Sequence, residues 1–124
     1  MKYVYSEEWT SKARELVQKL GLWHVPPGQI SCLKSHGTKT RRTIARIHGL
    51  GKAMQLGMKT EPFYVIELLS EKFDRLSEDD KTKTMIHELL HIPESFGGGF
   101  RHHKPYVNAH TVEEQWKKLQ NLNH

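Results

Sequence analysis

The feature that most constrains the fold is the pentapeptide 87–91, His-Glu-Leu-Leu-His, which can act as a unit only on a helix. Positions i and i+4 of an α-helix lie one above the other, so His87 and His91 share a face. The opposite side carries apolar residues, namely Met85, Ile86, Leu89 and Leu90. Ser77 is a suitable N-cap, and Pro93 cannot continue a helix. The pattern predicts an amphipathic helix from about residue 78 to 91, packed through its apolar side.

The same spacing predicts a catalytic zinc site. Two imidazoles one helical turn apart can bind a single Zn²⁺. Glu88 follows the first of them and would stand beside the metal, where a carboxylate can take a proton from zinc-bound water. We therefore expect a zinc metallopeptidase that hydrolyses peptide bonds by zinc-activated water, with Glu88 as general base and a peptide or protein as substrate.

A catalytic zinc needs a third protein ligand, and the sequence offers several. Gly97-Gly98-Gly99 would let the chain turn back toward the helix. His103 is the preferred ligand because Pro105 suits the first turn of a following helix, which would fix the direction of a residue at its boundary. The alternatives that remain open are His102, His110, Glu113 and Glu114.

The remaining patterns predict an α+β fold. An N-terminal helix should begin after Ser6 and end at Gly21, because apolar residues recur along it at helical spacing. Strands are expected at residues 29–34 and 43–48, paired as a hairpin, and at 63–69, whose edge could bind an extended peptide. A last helix should run from Pro105 to about Leu119. The expected fold is a small, mainly antiparallel sheet packed on the N-terminal helix and the His87–His91 helix, with a C-terminal helix.

Length and composition favour one soluble domain spanning residues 1–124. No apolar run approaches the ~18 residues that a membrane span needs, and the first residues lack the apolar stretch of a signal peptide. Cys32, the only cysteine, lies in an apolar stretch and is expected to be a buried structural thiol. A lone cysteine also suits a reducing compartment, so the predicted location is the cytoplasm.

Charge distribution supports a non-enzymatic alternative. The net charge is +5, and residues 16–60 contain no acidic residue. The basic residues between positions 34 and 59 could attract nucleic acid, although a solvated basic face explains them equally. The alternatives to a peptidase are thus a nucleic-acid-associated zinc-binding module and an inactive protease-like protein.

Three segments resemble a known family: residues 63–69, residues 84–93 around His87 and His91, and residues 97–103. They are similar to small metallopeptidases of archaea and phages, whose layout resembles that of the SprT-like zinc metallopeptidases. The resemblance implies zinc ligation by His87, His91 and one of His102 and His103, and acid–base catalysis by Glu88. The 124 residues are expected to lack the accessory extensions of the larger SprT-like proteins.

Overall fold

A computed structural model describes residues 1–101 and 103–122 and shows a four-stranded sheet with helices packed on it. The strands are β1 (Lys2–Tyr5), β2 (Ile30–His36), β3 (Ala45–Gly49) and β4 (Tyr64–Leu69), in the order β1-β2-β4-β3. β2 and β4 are parallel, and the two outer pairs are antiparallel. The expected small, mainly antiparallel α+β fold is therefore confirmed.

The predicted hairpin between the second and third strands is wrong. β4 lies between β2 and β3 and pairs with both, so these two strands do not touch. Five of the six residues of β4 are buried, and such an apolar strand gains most from a central position. The prediction that the edge of this strand could bind a peptide is wrong for the same reason. The edges belong to β1 and β3, and the sequence analysis had not identified β1, whose four residues are all exposed.

The N-terminal helix α1 (Glu7–Lys19) forms as its sequence predicts. The hydroxyl of Ser6 accepts a hydrogen bond from the backbone N–H of Trp9 at 3.1 Å, which caps the first turn. The helix buries its apolar face, and Gly21 follows it with φ of 65°, a left-handed conformation that glycine adopts without strain. The ring of Trp9 packs edge-on against Phe73, with centroids 5.0 Å apart. α1 thus covers one face of the sheet.

Helix α4 (Glu78–Leu90) carries the His-Glu-Leu-Leu-His pattern. Its N-cap is Ser77, whose hydroxyl accepts from the backbone N–H of Asp80 at 3.1 Å, and its C-cap is His91. Met85, Ile86 and Leu89 are buried in the core, while Leu90 is half-buried. The two histidines are therefore held on an element whose other side is fixed by packing.

The predicted C-terminal helix is divided into α5 (His103–Tyr106) and α6 (Ala109–Leu122). Asn108 and Thr111 explain the break, since the side chain of each accepts a hydrogen bond from the backbone N–H of the other. This reciprocal capping starts a new helix. Two further helices, α2 (Lys52–Met58) and α3 (Ser70–Phe73), flank β4 in the chain. Within the described residues, every helix is too short or too polar to cross a membrane.

Candidate metal centre

The structure brings three histidines together. One ring nitrogen from each of His87, His91 and His103 lies within 4.8 Å of the other two. The ring centroids are 5.1 Å apart for His87 and His91, 5.5 Å for His87 and His103, and 4.9 Å for His91 and His103. His87 and His91 are half-buried, and His103 is exposed. Three imidazoles at this spacing could hold one metal ion and leave a further position open.

His103 reaches this cluster through the glycine loop 97–99, which follows α4. Gly97 and Gly99 have φ of 87° and 107°, in the left-handed region. A Cβ atom at Gly97 would also lie 2.7 Å from the ring of Pro62, so a side chain has no room there. The loop returns the chain to α4, and α5 begins at His103. The sequence prediction that the loop turns back, and that this histidine starts a helix, agrees with the structure.

Two side chains hold the loop from outside the cluster. The hydroxyl of Tyr64 donates to the carbonyl oxygen of Gly99 at 2.7 Å and accepts from the N–H of Gly97 at 3.2 Å. The side-chain amide of Gln55 donates to the carbonyl oxygens of Leu50 at 2.7 Å and Gly97 at 3.3 Å. Neither residue can be recognised from the sequence, because their partners are backbone atoms more than thirty residues away in three of these four bonds.

Arg101 fixes the orientation of His91 through its backbone. Its N–H donates to the carbonyl oxygen of His91 at 2.7 Å, and its carbonyl oxygen lies 2.9 Å from His91 Nδ1. Since a carbonyl can only accept, Nδ1 carries the proton and Nε2 keeps its lone pair. A backbone carbonyl behind the ring is the usual partner of a metal-binding histidine.

Burial keeps the imidazoles of His87 and His91 neutral. The pKa of His87 is lowered to about 4, mainly by burial and additionally by the nearby His91 and His103. Burial also lowers the pKa of His91, against the hydrogen bond to Arg101, and His103 adds to the decrease. Near neutral pH these two imidazoles are therefore uncharged, which is the form that binds metals.

Glu88 lies beside the cluster. Its carboxyl oxygen Oε2 is 3.9 Å from Nε2 of His87, and its side chain is 8 % exposed. Burial raises the pKa of this carboxyl to about 7. A carboxyl group with such a pKa can both accept and return a proton near neutral pH.

The other candidate ligands lie elsewhere or outside the described residues. His110 is exposed and its Nε2 lies 3.1 Å from a carboxyl oxygen of Glu114. Glu113 pairs with Lys83 on α4, at 2.8 Å. None of these three α6 residues belongs to the histidine cluster. His102, the remaining alternative, lies outside the described residues.

The basic residues 34–59 are partly engaged in ion pairs. Arg46 binds the buried carboxylate of Glu67 at 2.9 Å, and Lys34 binds Asp74 at 2.8 Å. These contacts are structural and give no support to a nucleic-acid partner.

A family model described as putative phage metallopeptidase matches residues 1–123. No curated protein and no solved structure matches the chain. The match covers all three histidines of the cluster and Glu88.

Proposed function

The chain belongs to the putative phage metallopeptidase family, and from this membership we propose that it is a zinc-dependent peptidase with His87, His91 and His103 as metal ligands. The observation that carries the proposal is that one ring nitrogen from each of the three histidines lies within 4.8 Å of the other two. The fold supports the same choice independently of the family. α4 provides His87, its C-cap is His91, and the start of α5 provides the third histidine.

The donor set fits zinc better than the other common metals of hydrolases. Imidazole nitrogens suit Zn²⁺, whereas Mg²⁺ and Ca²⁺ prefer oxygen ligands. Three protein ligands with an open position are typical of catalytic zinc, whereas structural zinc is closed by four cysteine or histidine ligands. Cys32, the only cysteine, is buried in the core and could not complete a closed site. Bound zinc supplies Lewis acidity for attack on a carbonyl.

Glu88 is the proposed general base. It lies next to His87 in the chain, and its buried carboxyl faces the same cavity as the three histidines. Glu88 is held in place because Met85 and Leu89, which precede and follow it on α4, are buried in the core. A proton that Glu88 accepts from the attacking water can be returned to the leaving amine.

Strand β3 is the proposed docking edge for the peptide backbone. It pairs with β4 on one side, and no other described strand pairs with it. Ala45, Arg46 and Ile47 of β3 line the cavity that also contains the histidines. An extended peptide could pair with this edge as an additional strand. It would then run past the metal centre.

The cytoplasm remains the proposed compartment, because the single thiol is free and buried. No described contact favours the nucleic-acid-associated module over a peptidase.

The test combines metal analysis with peptide hydrolysis. Wild type should contain about one zinc per chain and cleave an unstructured protein such as casein. Glu88→Gln should keep its zinc and lose cleavage by at least about a hundredfold, within the range of general-base effects. Glu114→Gln, an exposed carboxyl on α6, is the matched control and should change neither quantity. Zinc-loaded wild type without peptidase activity would refute the proposal.

A further inference from the structure

A groove leads away from the metal centre along α4. It has a volume of about 740 Å³, within the range of ligand sites, and His87 and Glu88 form one end of it. Thr84, Lys83 and Asp80 continue its lining toward the N-terminus of α4. Since these positions lie about one and two turns before His87, the groove extends roughly 10 Å along the helix.

The groove and the metal-site cavity are adjacent. Ala45, His87 and Glu88 line both. A substrate bond positioned beside the three histidines would therefore have the mouth of the groove next to it. A side chain adjacent to that bond would have the groove within its reach.

The side walls of the groove are apolar. Ile44 and Ala45 form the wall at the start of β3, and Leu76 contributes from the segment after α3. Ala109 and Val112 form the wall in the first turn of α6. Ile44, Ala45 and Leu76 pack against the hydrophobic core, and Val112 is part of it, which gives these walls a fixed shape. A rigid apolar wall recognises a side chain by the area that it buries.

Beyond Glu88 at the metal-site end, the charges in the groove are balanced. This part contains two basic residues, Arg42 and Lys83, and two acidic residues, Asp80 and Glu113. Lys83 and Glu113 pair with each other at 2.8 Å across α4 and α6. A charged substrate side chain would therefore find no net opposite charge and would lose hydration on entry.

We propose that this groove is a specificity pocket that receives a large apolar side chain, such as leucine or phenylalanine, next to the bond that is cleaved. The proposal rests on the peptidase function proposed above, which places the substrate at the three histidines. Ala109 and Val112 on one wall and Ile44 on the other are the residues that determine the preference.

Binding can be measured without cleavage by using zinc-loaded Glu88→Gln protein. The probes are fluorescein-labelled nonapeptides of serine and alanine that carry one variable residue at the centre: alanine, leucine, phenylalanine, aspartate or lysine. Because the peptide can slide along the site, no cleavage position has to be known. We expect the leucine and phenylalanine peptides to bind at least about tenfold more tightly than the alanine peptide, as full burial of such a side chain allows. The aspartate and lysine peptides should show no gain. Equal binding of all five would overturn the proposal.

A variant that fills the groove provides the second test. Ala109 is exposed at the start of α6, so Ala109→Phe can add bulk to the groove without disturbing the core. In the Glu88→Gln background it should abolish the tenfold preference while zinc content stays at one per chain. Ala53→Phe is the matched control, because Ala53 is an exposed helical alanine on α2 outside the groove, and it should keep the preference. A preference that survives Ala109→Phe, or one that Ala53→Phe removes equally, would contradict the assignment.

The two proposals can fail separately. Repeating the titration with metal-free protein tests the groove alone, since its apolar walls do not need the metal. Selective binding of apolar peptides by a protein that cleaves nothing would support the pocket and refute the peptidase. Cleavage of peptides with no preference for a large apolar residue on either side of the cut would support the peptidase and refute the pocket.

Discussion

The hydroxyl of Tyr64 bridges the glycine loop, donating to the carbonyl oxygen of Gly99 at 2.7 Å while accepting from the N–H of Gly97 at 3.2 Å. Tyr64 is the first residue of the inner strand β4 and is 2 % exposed. The loop leads directly to Arg101, whose backbone orients His91, and to His103. One buried hydroxyl thus connects the sheet to two of the three proposed ligands.

Tyr64→Phe should weaken zinc binding without removing a ligand. The change leaves one carbonyl and one N–H of the loop without their partner, which costs about 1–3 kcal/mol of stability. It should also lower zinc affinity by about 10–100-fold, as other changes behind metal ligands do. The measurement is a zinc competition titration, with Tyr5→Phe on the exposed strand β1 as the matched control. An unchanged affinity in a folded Tyr64→Phe protein would contradict this role.

Local patterns predicted the elements that depend on local contacts. α1 and α4 have N-caps, Ser6 and Ser77, and apolar faces that can be recognised within a few residues. The pair His87 and His91 was predictable for the same reason, because a helix alone sets its geometry.

Long-range pairing could not be predicted in this way. The insertion of β4 between β2 and β3 depends on which strand gains most from burial across the whole sheet, and adjacency in the chain suggested a hairpin instead. Strand β1 buries none of its residues, so no hydrophobic pattern marks it. The groove is formed by segments from three parts of the chain and has no sequence motif.

The buried carboxylate of Glu67 should make stability depend on pH in the acid range. Burial raises its pKa, but hydrogen bonds from Arg46, Ser35 and His48 outweigh that effect and lower the pKa from 4.5 to about 2. The folded pKa lies below the unfolded one, so the stabilisation is complete above about pH 5 and is lost as the pH falls to about 2.

Urea unfolding of wild type and Glu67→Gln in the presence of a chelator would measure this effect. The difference in free energy of unfolding should be constant between pH 5 and 7 and should shrink by about 3 kcal/mol by pH 2. Titrating groups that do not contact Glu67 are common to both proteins and cancel in the difference. A difference that stays constant down to pH 2 would show that Glu67 is not the group responsible.

Cys32 should be unreactive in the folded protein. Its side chain is fully buried, and burial raises the pKa of the thiol to about 12, against a small opposing effect of Arg14. Since the thiolate is the nucleophile, Ellman's reagent should modify Cys32 only after unfolding in guanidinium chloride. Ala53→Cys, which adds a thiol on exposed helix α2, should react promptly with one equivalent in the folded state. Equal rates for the native and introduced thiols would contradict the buried position.

Zinc competition titrations on His102→Ala, His103→Ala and His110→Ala test the three-histidine centre most directly. His103 and His110 both lie in the C-terminal helical segment, but only His103 joins the cluster, whereas His110 is exposed and pairs with Glu114. His103→Ala should lower zinc affinity by more than the ~10–100-fold expected when a residue that only supports a ligand is changed. His110→Ala should leave zinc affinity unchanged. A dominant loss from His110→Ala, or a larger loss from His102→Ala than from His103→Ala, would contradict the account.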